Sequence, residues 1–117
     1  MKKWETYLEH LNKNGKLNTL YYDFGNCNIE KSELGRSIEL DIVSSKNKNL
    51  LVAECKFSKN IRQIADYYDM KEDLSIKAFK SYPKRELFLF GASGFSDEFK
   101  KIKDENLKLV DLKTMFE

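Results

Sequence analysis

The sequence predicts an α/β protein: a mixed sheet with helices packed against it. Three observations carry that expectation. Residues 36–44, Arg-Ser-Ile-Glu-Leu-Asp-Ile-Val-Ser, alternate apolar and polar side chains with the two-residue period of a strand. Residues 49–57, Asn-Leu-Leu-Val-Ala-Glu-Cys-Lys-Phe, follow after a short turn and are apolar almost throughout, as a strand covered on both faces is. A long helical pattern then leads to another apolar strand at 85–91, so an antiparallel hairpin precedes a strand–helix–strand crossover.

Each element has its own signal. Trp4, Leu8 and Leu11 share one helical face, and the spacing predicts a helix over 2–13 that ends before Asn14-Gly15. Residues 19–24, Thr-Leu-Tyr-Tyr-Asp-Phe, are strand formers, stopped by Gly25-Asn26. The polar stretch 26–35 reads as irregular, with part of it open to strand pairing. In 36–44, Ile38, Leu40 and Ile42 take one face and Glu39, Asp41 and Val43 the other; Ser45 to Lys48 make the turn to strand 49–57. Asn60 and Gln63 have capping-box spacing, and Ile61, Ile64, Ala65 and Tyr68 begin a helix expected to run over 61–80, with a kink near Asp69–Asp73 and Pro83 beyond its end. After strand 85–91 and the turn at Ser93-Gly94, Ser96 caps a short helix over 97–105, and Leu107 to Asp111 form the last strand. The order is helix, three strands, helix, strand, helix, strand.

Composition bounds the function. A chain of 117 residues is the size of one domain, here 1–117. Its 21 Lys and Arg nearly balance 19 Asp and Glu, a net charge of +2, which excludes an acidic tail and a protein that holds nucleic acid by bulk charge alone. With 13% aromatic residues, five Gly and one Pro, the chain has the makings of a core and not of a linker. Cys27 and Cys55 stand in no Cys-x-x-Cys or Cys/His cluster, which argues against zinc. No apolar run approaches the ~18 residues of a membrane span. Met1-Lys2-Lys3-Trp4-Glu5 opens on an amphipathic pattern without the apolar segment of a signal peptide, so the expected location is the reducing cytoplasm.

The anomaly is Glu54 and Lys56 inside the apolar run from Leu50 to Phe57. Charges in a central strand need partners or a task, because burying them unpaired costs several kcal/mol. Glu54 and Lys56 are two apart and share a face. Asp41, on the preceding strand, meets that face if the hairpin register is regular. Two carboxylates and an ammonium on one patch suit a divalent cation: Mg²⁺ takes a few oxygens, keeps its remaining waters and acidifies one of them beside a phosphate. The same three residues can equally form a structural salt-bridge cluster on a half-exposed sheet face. Glu-x-Lys by itself is a weak signal, and Glu98-Phe99-Lys100 repeats it on a surface helix; the strand context carries the argument.

The stretch Glu39-Leu40-Asp41-Ile42-Val43, followed by Val52-Ala53-Glu54-Cys55-Lys56-Phe57, resembles motifs II and III of the PD-(D/E)xK, restriction-endonuclease-like superfamily. More narrowly it is similar to the nuclease-like domain at the C-terminus of archaeal-type AAA ATPases, which carries a comparable strand pair, a late segment like Leu89-Phe90-Gly91-Ala92-Ser93-Gly94-Phe95-Ser96 and a closing strand like Leu109-Val110-Asp111-Leu112. The resemblance spans roughly residues 1–115 and implies an αβββαβ core, in agreement with the element order above. It implies that Asp41 and Glu54 are catalytic metal ligands for Mg²⁺ (or Mn²⁺), that Lys56 is the catalytic lysine, and that the backbone carbonyl of Cys55 completes the metal site. It further points to Glu5 on the first helix as an acidic ligand, a residue that equally reads as a solvated first-turn carboxylate. Leu40 stands where the superfamily often has proline, and Ala53 where the narrower family has glycine.

Gln63 lies where some relatives of that superfamily place a phosphate-contacting side chain, and also where a capping box with Asn60 needs it. Lys59 and Arg62 flank it as candidate contacts to a nucleic-acid backbone. Lys77, Lys80, Lys84 and Arg85 read as a solvated helix end, and no glycine spacing makes a phosphate-cradling loop. Two functions follow as expectations. One is a Mg²⁺-dependent DNA endonuclease-like domain, associated with an AAA ATPase and open to homodimerisation. The other is a non-catalytic module that keeps the nuclease fold and docks on DNA or on an ATPase.

Overall fold

In the computed structural model, residues 3–56 and 59–112 are described. Helix α1 (Lys3–Lys13) precedes three strands, β1 (Gly25–Ile29), β2 (Ile38–Lys46) and β3 (Asn49–Lys56). Helix α2 (Ile64–Asp73), a 3₁₀ turn (Lys77–Phe79), β4 (Lys84–Gly91), α3 (Asp97–Lys100) and β5 (Leu107–Asp111) follow. The five strands form one mixed sheet in the order β1-β2-β3-β4-β5. The pairs β1/β2 and β2/β3 are antiparallel, and β3/β4 and β4/β5 are parallel. The antiparallel pairs are joined by short connections; the parallel pairs need the crossovers through α2 and α3.

Strand β3 is central, and its alternation feeds two cores. Leu50 and Val52 face the layer formed by Tyr67 and Met70 of α2, with Leu74, Phe95 and Phe99. Leu51 and Ala53 face the layer formed by Trp4 and Leu8 of α1, with Leu17 and Tyr21. All four β3 residues are at most 1% exposed, which is why this run is apolar without alternation.

Several expectations change in the folded chain. Residues 19–24 are not a strand, despite their composition. Tyr21 is buried, its backbone N–H donates to Asn12 Oδ1 (2.9 Å), and Asn12 Nδ2 donates to its carbonyl (2.8 Å), so a side chain on α1 replaces a strand partner. The first strand is instead Gly25–Ile29, poor in strand formers and made by pairing with β2. The helix expected over 61–80 is α2 alone, 64–73. The capping box does not form: Gln63 is the N-cap residue, without a side-chain cap bond, and Asn60 lies three residues upstream. Segment 61–63 is extended, because Arg62 pairs in parallel with Phe95: its N–H donates to the Gly94 carbonyl and its carbonyl accepts from Ser96 N–H, both at 2.9 Å. After Leu74 the chain turns, and Arg85 donates to the carbonyls of Leu74, Phe79 and Tyr82, closing the ends of α2 and the 3₁₀ turn. Helix α3 stops at Lys100, with Ser96 accepting from Phe99 N–H as its cap. The expected ends at Lys2 and Phe57 lie outside the described residues.

Candidate functional site

Strand β2 is not a regular strand. Val43 pairs with Gly25, yet Leu40 already pairs with Cys27, so three steps on β2 oppose two on β1. This is a bulge in β2 between Leu40 and Val43, and it reverses the facing of the strand: Ile38 and Leu40 pack in the α2-side core, while Ile42 packs in the α1-side core. The ladder with β3 runs from Lys46↔Asn49 to Ile42↔Ala53. One residue further on, at Asp41, a side chain takes over from the ladder: the backbone N–H of Cys55 donates to Asp41 Oδ2 at 2.8 Å. Asp41 itself is exposed.

The bulge decides which candidates meet. Asp41 lines a cleft of about 400 Å³ together with Glu5 from the first turn of α1, Trp4, Asn28, Glu39 and Cys55. Glu54 and Lys56 share the other face of β3, following Val52 toward α2. Asp41, Glu54 and Lys56 therefore do not stand in a single row, as a regular register would have put them. Asp41 and Glu54 nevertheless feel each other. Burial pushes the Glu54 carboxyl up to about 7, the Asp41 charge adds to this, and the Arg62 guanidinium opposes it. Among the described residues, no group of three or more His, Cys, Asp or Glu side chains is arranged to hold a metal ion.

On the α2 side, Lys56 Nζ lies 3.9 Å from Asp66 Oδ2, and Arg62 Nε lies 3.5 Å from the same oxygen. Arg62 is 4% exposed and its Nη1 donates to the Phe90 carbonyl (3.3 Å), so this cation faces inward and is not at the surface. Lys59 and Gln63 are exposed on either side of it. Asp66 was not singled out from the sequence. Its signal is a carboxylate four residues after Arg62, in the first turn of α2, and Arg62 reaches it past Gly91, whose missing side chain leaves room: a Cβ there would lie 3.3 Å from Arg62 Cδ.

No family model matches this chain, and no curated protein matches it either. Among solved structures, it is similar to a crystal structure described as a "protein of unknown function AF1548", with a TM-score of 0.60 at 14% identity. The match covers 95% of this chain and 58% of the other. At that identity the likeness is one of fold: a mixed α/β architecture with a five-stranded sheet and flanking helices. Among the described residues, no helix is long and apolar enough to cross a membrane.

Proposed function

We propose that this chain is a nuclease-like domain with the restriction-endonuclease-like αβββαβ core of the PD-(D/E)xK superfamily, hydrolysing phosphodiester bonds in DNA with Mg²⁺ or Mn²⁺. The observation that carries the reading is the end of the β2/β3 ladder, where Asp41 Oδ2 accepts from the N–H of Cys55, the residue next to Glu54, and where the Asp41 charge adds to the rise of the Glu54 carboxyl. The donor chemistry fits a hydrated divalent ion, which takes one or two carboxylates and keeps several waters, and does not fit a cage built wholly from side chains. A bound ion would supply an acidified water and positive charge at the phosphate. Asp41 would hold it from the cleft it shares with Glu5 and Cys55, with the Cys55 carbonyl and Glu5 as further donors, and Glu54, from the other face of β3, would have to reach it through the gap where the β2/β3 ladder has ended. Lys56 would set its ammonium against the charge that develops on the phosphate oxygens. Lys59 and Gln63 are the exposed candidates for backbone contacts. With a net charge of only +2, DNA binding would be salt-sensitive and aided by a second copy or by an AAA ATPase partner in the cytoplasm.

One observation favours the second reading, a non-catalytic module that docks on DNA or on an ATPase: Lys56 and Arg62 already share a carboxylate neighbour in Asp66, so these two cations have a partner without any substrate. A cleavage assay on plasmid, single-stranded and branched DNA with Mg²⁺ or Mn²⁺ separates the two. The nuclease reading expects metal-dependent cleavage that is lost in both Asp41→Ala and Lys56→Ala. Cleavage that persists in both variants would come from a contaminant and would remove the catalytic reading.

A further inference from the structure

We propose that Arg62 is a positioning residue for Lys56, acting through Asp66; the role rests on the nuclease reading above. Arg62 is built into the fold from three directions. Its backbone is pinned between Gly94 and Ser96, its Nη1 donates to the Phe90 carbonyl, and its stem runs past Gly91. Its side chain is 5% exposed, so the guanidinium is packed inside the protein and not free in solvent. There Nε lies 3.5 Å from Asp66 Oδ2, the oxygen that also lies 3.9 Å from Lys56 Nζ. Asp66 thus sits between a buried cation and a more exposed one: the Lys56 side chain is 39% exposed and has four rotatable bonds, so its place depends on what holds its ammonium. An ion pair serving only to tie α2 to the sheet would require Arg62 and Asp66 but not Lys56. The shared oxygen makes the place of the Lys56 ammonium depend on where Arg62 holds Asp66.

The test reads the position of Lys56 directly, in ¹³C-labelled protein without metal or DNA. A lysine held in one place has inequivalent Hε protons, and a freely rotating one has averaged Hε protons. We expect inequivalence in the wild type and collapse to one shift in Asp66→Asn and in Arg62→Lys, with the remaining spectrum that of a folded protein. Inequivalent Lys56 Hε protons in a folded Arg62→Lys variant would overturn the proposal. If Arg62→Lys does not fold, Gly91→Ala displaces the Arg62 stem without removing its charge, and an unchanged Lys56 signal there has the same meaning. In turnover, Arg62→Lys is expected to lower kcat about 10-fold or more with KM within about 2-fold, the signature of a misplaced catalytic group. An unaltered kcat would also overturn the proposal. A wild type that cleaves no DNA would instead defeat the nuclease reading, and the Lys56 spectrum would still decide whether Arg62 positions it.

Discussion

Replacing Glu54 with Gln should make the metal-free protein more stable at pH 8 and leave it unchanged near pH 4. Glu54 is half-buried next to Asp41, and its carboxyl titrates at about 7 instead of the ordinary 4.5. The sign follows from proton counting. Between these two values the folded chain keeps the Glu54 proton and the unfolded chain has lost it, so stability present at pH 4 is lost as pH rises through 7. The difference, 7 minus 4.5, at about 1.4 kcal/mol per pH unit gives about 3.5 kcal/mol as an upper bound. Water reaches part of this side chain, which reduces the expected effect to about 1–2 kcal/mol. Glutamine has nearly the same shape and no charge, so Glu54→Gln should lack this fall. The assay is urea denaturation of both proteins in EDTA at pH 4, 6 and 8, comparing midpoints at equal m-value. Repeating it at pH 8 with Mg²⁺ about 100-fold above its dissociation constant should return about 2–3 kcal/mol to the wild type and nothing to the variant. Parallel pH profiles for the two proteins would refute the coupling of Glu54 to its buried, acidic surroundings.

Three other outcomes are expected. Asp41→Ala removes the acceptor of the Cys55 N–H and should lose about 1 kcal/mol at pH 5, where Glu54 holds its proton, and less at pH 8, where relief of Glu54 offsets it; urea titrations at both pH values check the order. Gly91→Ala puts a Cβ 3.2 Å from the Gly94 carbonyl oxygen and 3.3 Å from both Arg62 Cδ and Phe95 Cζ, so it should destabilise by about 1–3 kcal/mol; a thermal midpoint equal to wild type would show that the site relaxes freely. Arg85→Gln releases three carbonyls at the ends of α2 and the 3₁₀ turn and should cost about 2–4 kcal/mol by denaturation; a loss under about 0.5 kcal/mol would mean that water serves those carbonyls equally well.

Some of this molecule was legible because its signals are local. The hairpin of 36–44 and 49–57, the strand at 85–91, the strand at 107–111 and the Ser96 cap follow from periodicity and from residue types within a few positions of each other. The strand-forming run at 19–24 misled, because Tyr21 finds its backbone partners on α1 and its core on the α1 side of the sheet. The run 61–80 looked like one helix because an apolar period does not record where a backbone is needed for another purpose, here the pairing of Arg62 with Phe95. Arg62 looked like a surface cation for the same reason: only its placement against Gly91 and Phe90 turns it inward.

By itself the sequence determined the class of fold, the central place of β3, and the oddity of Glu54 and Lys56 in it. These depend on hydrophobic patterning along the chain, which any fold of this chain must satisfy. Only the tertiary structure decided how the charges meet. One extra residue in β2 reverses the facing of every side chain beyond it, since strand alternation has a period of two. That single step gives Asp41 to the cleft with Glu5, leaves Glu54 and Lys56 on the α2 side with Asp66 and Arg62, and lets the Asp41 charge still reach Glu54 across the end of the ladder. Register is a property of two strands together, and no reading of one strand contains it.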